Sequence, residues 1–153
     1  MDPSDSSLRR ERRLLQAGVL LFLLALLVGL AVPRFAVPRL GLSAHLLGIM
    51  QGIFLMVIGL LWPKLKLTPA VSGAGSLLAI YGCFAAWAAN VLGAVWGAGN
   101  LMLPIAAGQA RGNAIQETLI AFGLRTAAVS LIAAAILILW GLRTVPGNTR
   151  AND

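Results

Sequence analysis

At 153 residues, 59% of them hydrophobic and only 11% charged, the chain is far from the roughly 25% charged composition of soluble domains, and its class is integral membrane protein. The net charge of +7 does not point to nucleic acid, because the basic residues sit at the ends of apolar segments, where topology and lipid headgroups account for them. A single cysteine, Cys83, excludes an internal disulfide, a paired-cysteine redox motif and a cysteine-based zinc site.

In chain order, residues 1–13 read as a basic, cytoplasmic N-terminal segment. A spanning helix needs about 20 mostly apolar residues, and four stretches qualify, together forming a membrane domain over 14–142. The first is 14–32, read as a retained helix because no small-residue cleavage site follows it before Val32-Pro33-Arg34. The second is 43–62, closed by Pro63. The third is 69–96, closed by Gly97-Ala98-Gly99, and the fourth is 117–142. Residues 143–153 read as a cytoplasmic tail, disordered from Val145 onward. The expected fold class is an all-α, four-transmembrane-helix bundle. Arg9, Arg10, Arg12, Arg13, Lys64, Lys66, Arg143 and Arg150 fall on one side, and only Arg34, Arg39 and Arg111 on the other. The lysine and arginine bias puts both termini on the cytoplasmic side, in a bacterial inner membrane.

Two rows of small residues run along the middle segments: Gly41, Gly48, Gly52 and Gly59 on the second, and Gly75, Ala79, Gly82, Ala86, Ala89, Gly93 and Gly97 on the third. Spacings of three and four place each row on one helix face, where backbones or a flat ligand can approach closely. Trp62, Trp96 and Trp140 stand at span ends and read as interfacial belt residues. Trp87 lies deeper and is a candidate lining for an aromatic substrate.

The non-basic polar residues gather toward the outer half. His45 is the only histidine, beside the first glycine row, and imidazole is a common metal and haem ligand. It reads either as a ligand or as an interfacial side chain bonded to a loop carbonyl. Asn90 reads as an interhelical hydrogen-bonding group or as part of a pocket, and Gln51 likewise. Arg125 is the costliest residue to place within a span. Three roles are open to it: snorkelling, pairing with Glu117, or meeting an anionic cofactor group such as a haem propionate. Glu117 is suited to the N-terminus of the fourth helix. One histidine per chain excludes a bis-histidine haem within one subunit, and a macrocycle beside the glycine face at Gly48 and Gly52 would keep an open position for Lewis-acid chemistry.

The stretch Arg39-Leu-Gly-Leu-Ser-Ala-His45-Leu-Leu-Gly-Ile-Met-Gln51-Gly52, and Trp87-Ala-Ala-Asn90 with the segment up to Pro104, resemble the membrane family of hydroxylaminobenzene mutases. The resemblance covers residues 14–142. That family is similar to the styrene oxide isomerases, small four-helix membrane isomerases that form homotrimers and hold haem b through a histidine on the second helix. The resemblance implies that His45 is the axial ligand of a ferric haem b, near a subunit interface of a homotrimer. The isomerases have Asn six residues after that histidine, where this chain has Gln51. They also have Tyr four residues after the third-helix Asn, where this chain has Ala94. The missing phenol favours the mutase substrate over an epoxide.

The implied reaction converts hydroxylaminobenzene to 2-aminophenol by intramolecular hydroxyl transfer, a step in nitroarene degradation. The haem iron would act as Lewis acid, Gln51 or Asn90 would orient the NHOH group, and Trp87 would line the pocket. Two alternatives stand beside it: epoxide-to-aldehyde isomerisation of the styrene oxide type, and a non-enzymatic four-helix membrane scaffold.

Overall fold

The computed structural model describes residues 3–143, with side chains from Ser7 onward; the tail from residue 144 lies outside them. The described residues are all helical in their regular structure: α1 Pro3–Ala31, α2 Pro38–Leu61, α3 Pro69–Trp96, a one-turn α4 Pro104–Ala107, and α5 Ala114–Gly141. Short 3-10 turns at Val32–Arg34 and Trp62–Lys64 follow α1 and α2. Four helices are long and apolar enough to cross a membrane, and the protein is a multi-pass membrane protein. At 24 residues, the shortest of these, α2, is about 36 Å long, against about 30 Å of hydrocarbon.

The elements start and stop where local chemistry demands. α2 and α3 open on proline, whose missing N–H is no loss in a first turn. α3 ends at Gly97 with φ 64°, a left-handed cap that favours glycine. α5 begins with a reciprocal capping box, in which the Gln116 N–H donates to Asn113 Oδ1 and the Asn113 N–H to Gln116 Oε1, each at 2.9 Å.

Three boundaries differ from expectation, the smallest difference being at α5, which starts at Ala114 rather than residue 117. α1 continues back through the basic segment to Pro3, because nothing between Ser4 and Arg13 breaks a helix. α2 starts at Pro38 rather than residue 43, so His45 stands about two turns inside the helix instead of at its mouth.

The helices form an open row rather than a closed bundle. α1 packs on α2, α2 on α3 and α3 on α5, while α1 also touches α3. The two end helices are accordingly much less buried than the inner two. In hydrocarbon no hydrophobic force drives helices together, so close packing of small residues has to do it. Gly41, Gly48, Gly52 and Gly59 are all buried. A Cβ at Gly52 would stand 2.9 Å from the Gly18 carbonyl oxygen, and one at Gly18 would stand 2.7 Å from that of Gly52. α1 and α2 are thus in backbone contact there. On α3, Gly82 admits Leu131 and the Ala127 carbonyl of α5.

A deep core of Leu14, Leu21, Leu55, Ile58, Trp62, Ala79, Cys83 and Ala134 fills the half nearer the α2–α3 turn. Trp62 is the exception to the expected aromatic belt: it is 2% exposed and donates its indole N–H to Ser72 Oγ at 2.9 Å. A buried indole needs such a partner, and Ser72 one turn into α3 supplies it. Trp96 and Trp140 are exposed at helix ends as expected.

Placing a leucine at Gly52 must separate α1 from α2. We expect Gly52→Leu to destabilise the fold by about 3 kcal/mol or more, and Gly52→Ala by about 1–3 kcal/mol, measured as lowered thermal midpoints in detergent.

Candidate functional site

The expected site residues fall into three places. The first is a groove between α1 and α2. His45 is half-buried there, with Nδ1 2.8 Å from the Ala25 carbonyl oxygen on α1. A carbonyl can only accept, so Nδ1 carries the proton. In the neutral ring Nε2 then holds the free lone pair, which is the arrangement a ligating imidazole requires. The ring is seated by Gly29, where a Cβ would come within 2.5 Å of Nδ1. The groove is open to the outside of the helix row, has a volume of about 510 Å³ and is lined by Leu26, Gly29, Leu30, Val32, Pro33, Leu42 and His45.

The second place is the interior between α2 and α3. Gln51 is 9% exposed and Asn90 6%. Asn90 Nδ2 donates to the Ala86 carbonyl oxygen at 3.0 Å, a bond back along its own helix, so the expected interhelical bond is not made. Gln51 makes no hydrogen bond among the described residues, and its Oε1 is buried without a partner, as is Trp87 Nε1. Gly48 lies between this place and the groove. A Cβ there would meet Ala25 Cβ at 2.6 Å and Trp87 Nε1 at 2.8 Å. Gly48 and Gly52 therefore face α1 and Trp87, where they set helix spacing, and not open space. His45 and Gln51 are six residues apart and so point about 120° away from each other around α2. Within one chain the structure does not bring them into one cavity.

The third place is the outer loop between α3 and α5, and Glu117 organises it. Oε1 accepts from the backbone N–H groups of Gly99 at 3.0 Å, Asn100 at 3.3 Å and Gly112 at 3.1 Å, and Oε2 accepts from Leu101 at 3.0 Å. One carboxylate thereby satisfies four amides that no helix or strand would otherwise pair. Asn100 Nδ2 adds a bond to the Gly108 carbonyl oxygen at 3.1 Å, and Arg39 Nη1 reaches the Ile105 carbonyl oxygen at 3.0 Å. Val37, Leu40, Ala94 and Ala107 close the outer end beneath.

Glu117 is committed to these amides, and the expected pairing with Arg125 is not formed. Arg125 is exposed near the middle of α5 with no hydrogen bond or ion pair among the described residues. It shares that outward face with the exposed Phe122, Val129 and Ile132.

Sequence reasoning missed Ala25 and Gly29, the seat of His45. Their signal was the spacing of Gly18, Ala25 and Gly29, which keeps small residues on one face of the first helix. It also missed the Glu117 cradle, for which Gly97, Gly99 and Gly112 clustered around one acid were the signal. Among the described residues no group of three or more His, Cys, Asp or Glu side chains could hold a metal ion.

The family model for styrene oxide isomerase matches residues 10–143. The chain is similar to hydroxylaminobenzene mutase HabB of Ectopseudomonas oleovorans, with 50% identity over 135 residues, covering 88% of this chain and 82% of that protein. It is also similar to hydroxylaminobenzene mutase HabA of the same organism, with 42% identity over 129 residues, covering 84% and 96%. No solved structure matches.

Replacing Glu117 by Gln keeps the shape but removes the charge and turns one acceptor into a donor. We expect about 2–3 kcal/mol of lost stability and faster hydrogen exchange at the amides of Gly99, Asn100, Leu101 and Gly112. Unchanged exchange at those amides would contradict the role assigned to Glu117.

Proposed function

The chain belongs to the styrene oxide isomerase family, and from that premise we propose that it is a membrane isomerase converting hydroxylaminobenzene to 2-aminophenol. The observation that carries this reading is the 50% identity, across 88% of the chain, to a protein named for that activity. In the reaction the N–O bond breaks, a C–O bond forms at the ortho carbon, and the proton displaced from that carbon is balanced by one gained at nitrogen. There is no net redox change, so no reductant or oxidant is required.

The donor set at His45 fits a ferric haem b. One imidazole is held by the Ala25 carbonyl with Nε2 free, and it opens into an apolar groove. His45 would hold the group. The chemistry it supplies when bound is Lewis acidity toward the N–O bond. The chain's own residues do the rest. Gln51 and Asn90 carry the carboxamides suited to orient an NHOH group, and Trp87 offers an aromatic wall; since they do not share the His45 groove within one chain, this arrangement requires surfaces from more than one copy. The apolar surroundings keep bulk water from a cationic aromatic intermediate. Gly48 and Gly52 enter as the close-packing residues behind His45.

The same reading includes a homotrimer. A neighbouring subunit would cover the outward face of α5, where a mid-span guanidinium is costly to leave in lipid, and Arg125 would there meet an anionic group of the cofactor. The setting is the bacterial inner membrane with both termini cytoplasmic.

A second reading, epoxide-to-aldehyde isomerisation, is favoured by the description of the family model. Ala94 argues against it, since it stands where the epoxide isomerases carry a phenol and is fully buried.

Side-by-side turnover of hydroxylaminobenzene and styrene oxide tests the choice of substrate. His45→Ala should remove the Soret band and turnover together; turnover by haem-free His45→Ala protein would overturn the haem reading. Gly29→Ala should displace the His45 imidazole from its seat and weaken haem retention about tenfold or more, with the helical circular dichroism unchanged.

A further inference from the structure

The outward face of α1 is layered along its length. Arg12, Arg13, Gln16, Val19, Leu20 and Leu23 are all exposed, and spacings of three and four put them on one side of the helix. Arg10 is turned the other way and donates from Nη2 to the Pro69 carbonyl oxygen at 3.0 Å. Arg12 and Arg13 make no hydrogen bond or ion pair among the described residues, nor does the side chain of Gln16. Glu11, the one acid in residues 7–13, stands at least about 100° round the helix from either arginine. Deeper along α1, Leu15, Gln16, Val19, Leu20 and Leu23 line an open groove of about 440 Å³. It shares no lining residue with the His45 groove.

These layers match those of one bilayer leaflet. Hydrocarbon gives way to the outer edge of the headgroups over about 5–8 Å on each side, and Gln16 stands about 6 Å along the axis from Arg12. Leu23 lies about 10 Å deeper than Gln16, within the roughly 15 Å of hydrocarbon in one leaflet. Guanidinium forks fit phosphate oxygens, a carboxamide N–H suits an ester carbonyl, and the groove offers apolar surface to an acyl chain. Lys64 closes the 3-10 turn Trp62–Lys64, which packs against α1, and adds an exposed cation at the same end. The same face of a second copy fits poorly, because it would set like charges against each other.

We propose that this face binds one anionic phospholipid, with its phosphate on Arg12 and Arg13, a glycerol ester at Gln16 and an acyl chain in the groove from Leu15 to Leu23. The lipid fixes the depth of α1, the helix that brings Ala25 and Gly29 to His45. The site lies apart from the His45 groove and does not depend on the mutase reading.

The test uses full-length protein with its cofactor, delipidated in a neutral detergent, and counts bound lipids by native mass spectrometry. The probes are dioleoyl phosphatidylglycerol and dioleoyl phosphatidylcholine, which share acyl chains and differ in net headgroup charge. We expect one phosphatidylglycerol per chain, preferred over phosphatidylcholine about 30-fold, at about fivefold for each of two guanidiniums. Arg12→Gln combined with Arg13→Gln should remove that preference. Arg111→Gln, an exposed arginine of the outer loop, should leave it unchanged. Val19→Trp, which fills the groove, should weaken binding of both lipids, and glycerophosphoglycerol, the headgroup without its chains, should not displace the bound lipid.

Equal binding of the two lipids overturns the site. So does an equal loss in Arg111→Gln, which would mark a diffuse attraction of lipid to net charge. Displacement by glycerophosphoglycerol overturns the role of the groove, and an oligomer that covers this face and takes up no phosphatidylglycerol overturns the proposal in favour of a second copy. If the double arginine variant fails to fold, Val19→Trp decides: loss of the bound phosphatidylglycerol supports the site, and unchanged binding overturns it.

Discussion

The approach of α1 to α2, backbone against backbone at Gly18 and Gly52, is the contact on which the site depends. Hydrocarbon gives two apolar helices no reason to prefer each other over lipid, so the preference comes from surfaces that fit closely. Glycines at both helices let the carbonyl-bearing backbone of α1 come within reach of side chains on α2. His45 uses that reach. Its Nδ1 finds the Ala25 carbonyl only because Gly29 and Gly48 leave room for the ring and for Ala25. One packing solution therefore fixes the helix spacing, the imidazole tautomer and the direction of Nε2 together.

Polar groups are treated differently at the rim and in the interior. At the outer end Glu117, Asn113, Gln116 and Asn100 are all paired, mostly with backbone. The loop that caps α3 and leads into α5 is therefore held by bonds rather than by apolar burial. In the interior the balance is reversed. Trp62 and Ser72 satisfy each other, whereas Gln51 and the Trp87 indole do not.

The open row of helices shapes what the chain needs from outside. A closed bundle would turn one face of every helix inward. Here α5 leans on α3, and its far side carries Arg125 among apolar residues. α1 is similarly bare on its outer side. The His45 groove opens toward that outside, while Gln51, Trp87 and Asn90 look inward.

Four spans, their limits at Pro63 and Gly97, and the two glycine rows were legible from the sequence, because hydropathy and three- and four-residue spacing are local properties of a helix. His45 was also legible, as the one side chain in the chain with an imidazole. Other features were not local. Trp62 looked like a belt residue until Ser72, ten positions away, came to face it. Glu117 looked like a helix-end charge or a partner for Arg125 until four loop amides converged on it. His45, Asn90 and Glu117 seemed to share an outer polar zone, yet depth along an axis says nothing of direction around it. The sequence by itself determined that this is a four-span membrane protein with one ligand-type residue beside a glycine row. Only the tertiary structure decided which way that residue points and which polar atoms stay unpaired, because those follow from where the α1 and α3 backbones come to rest against α2.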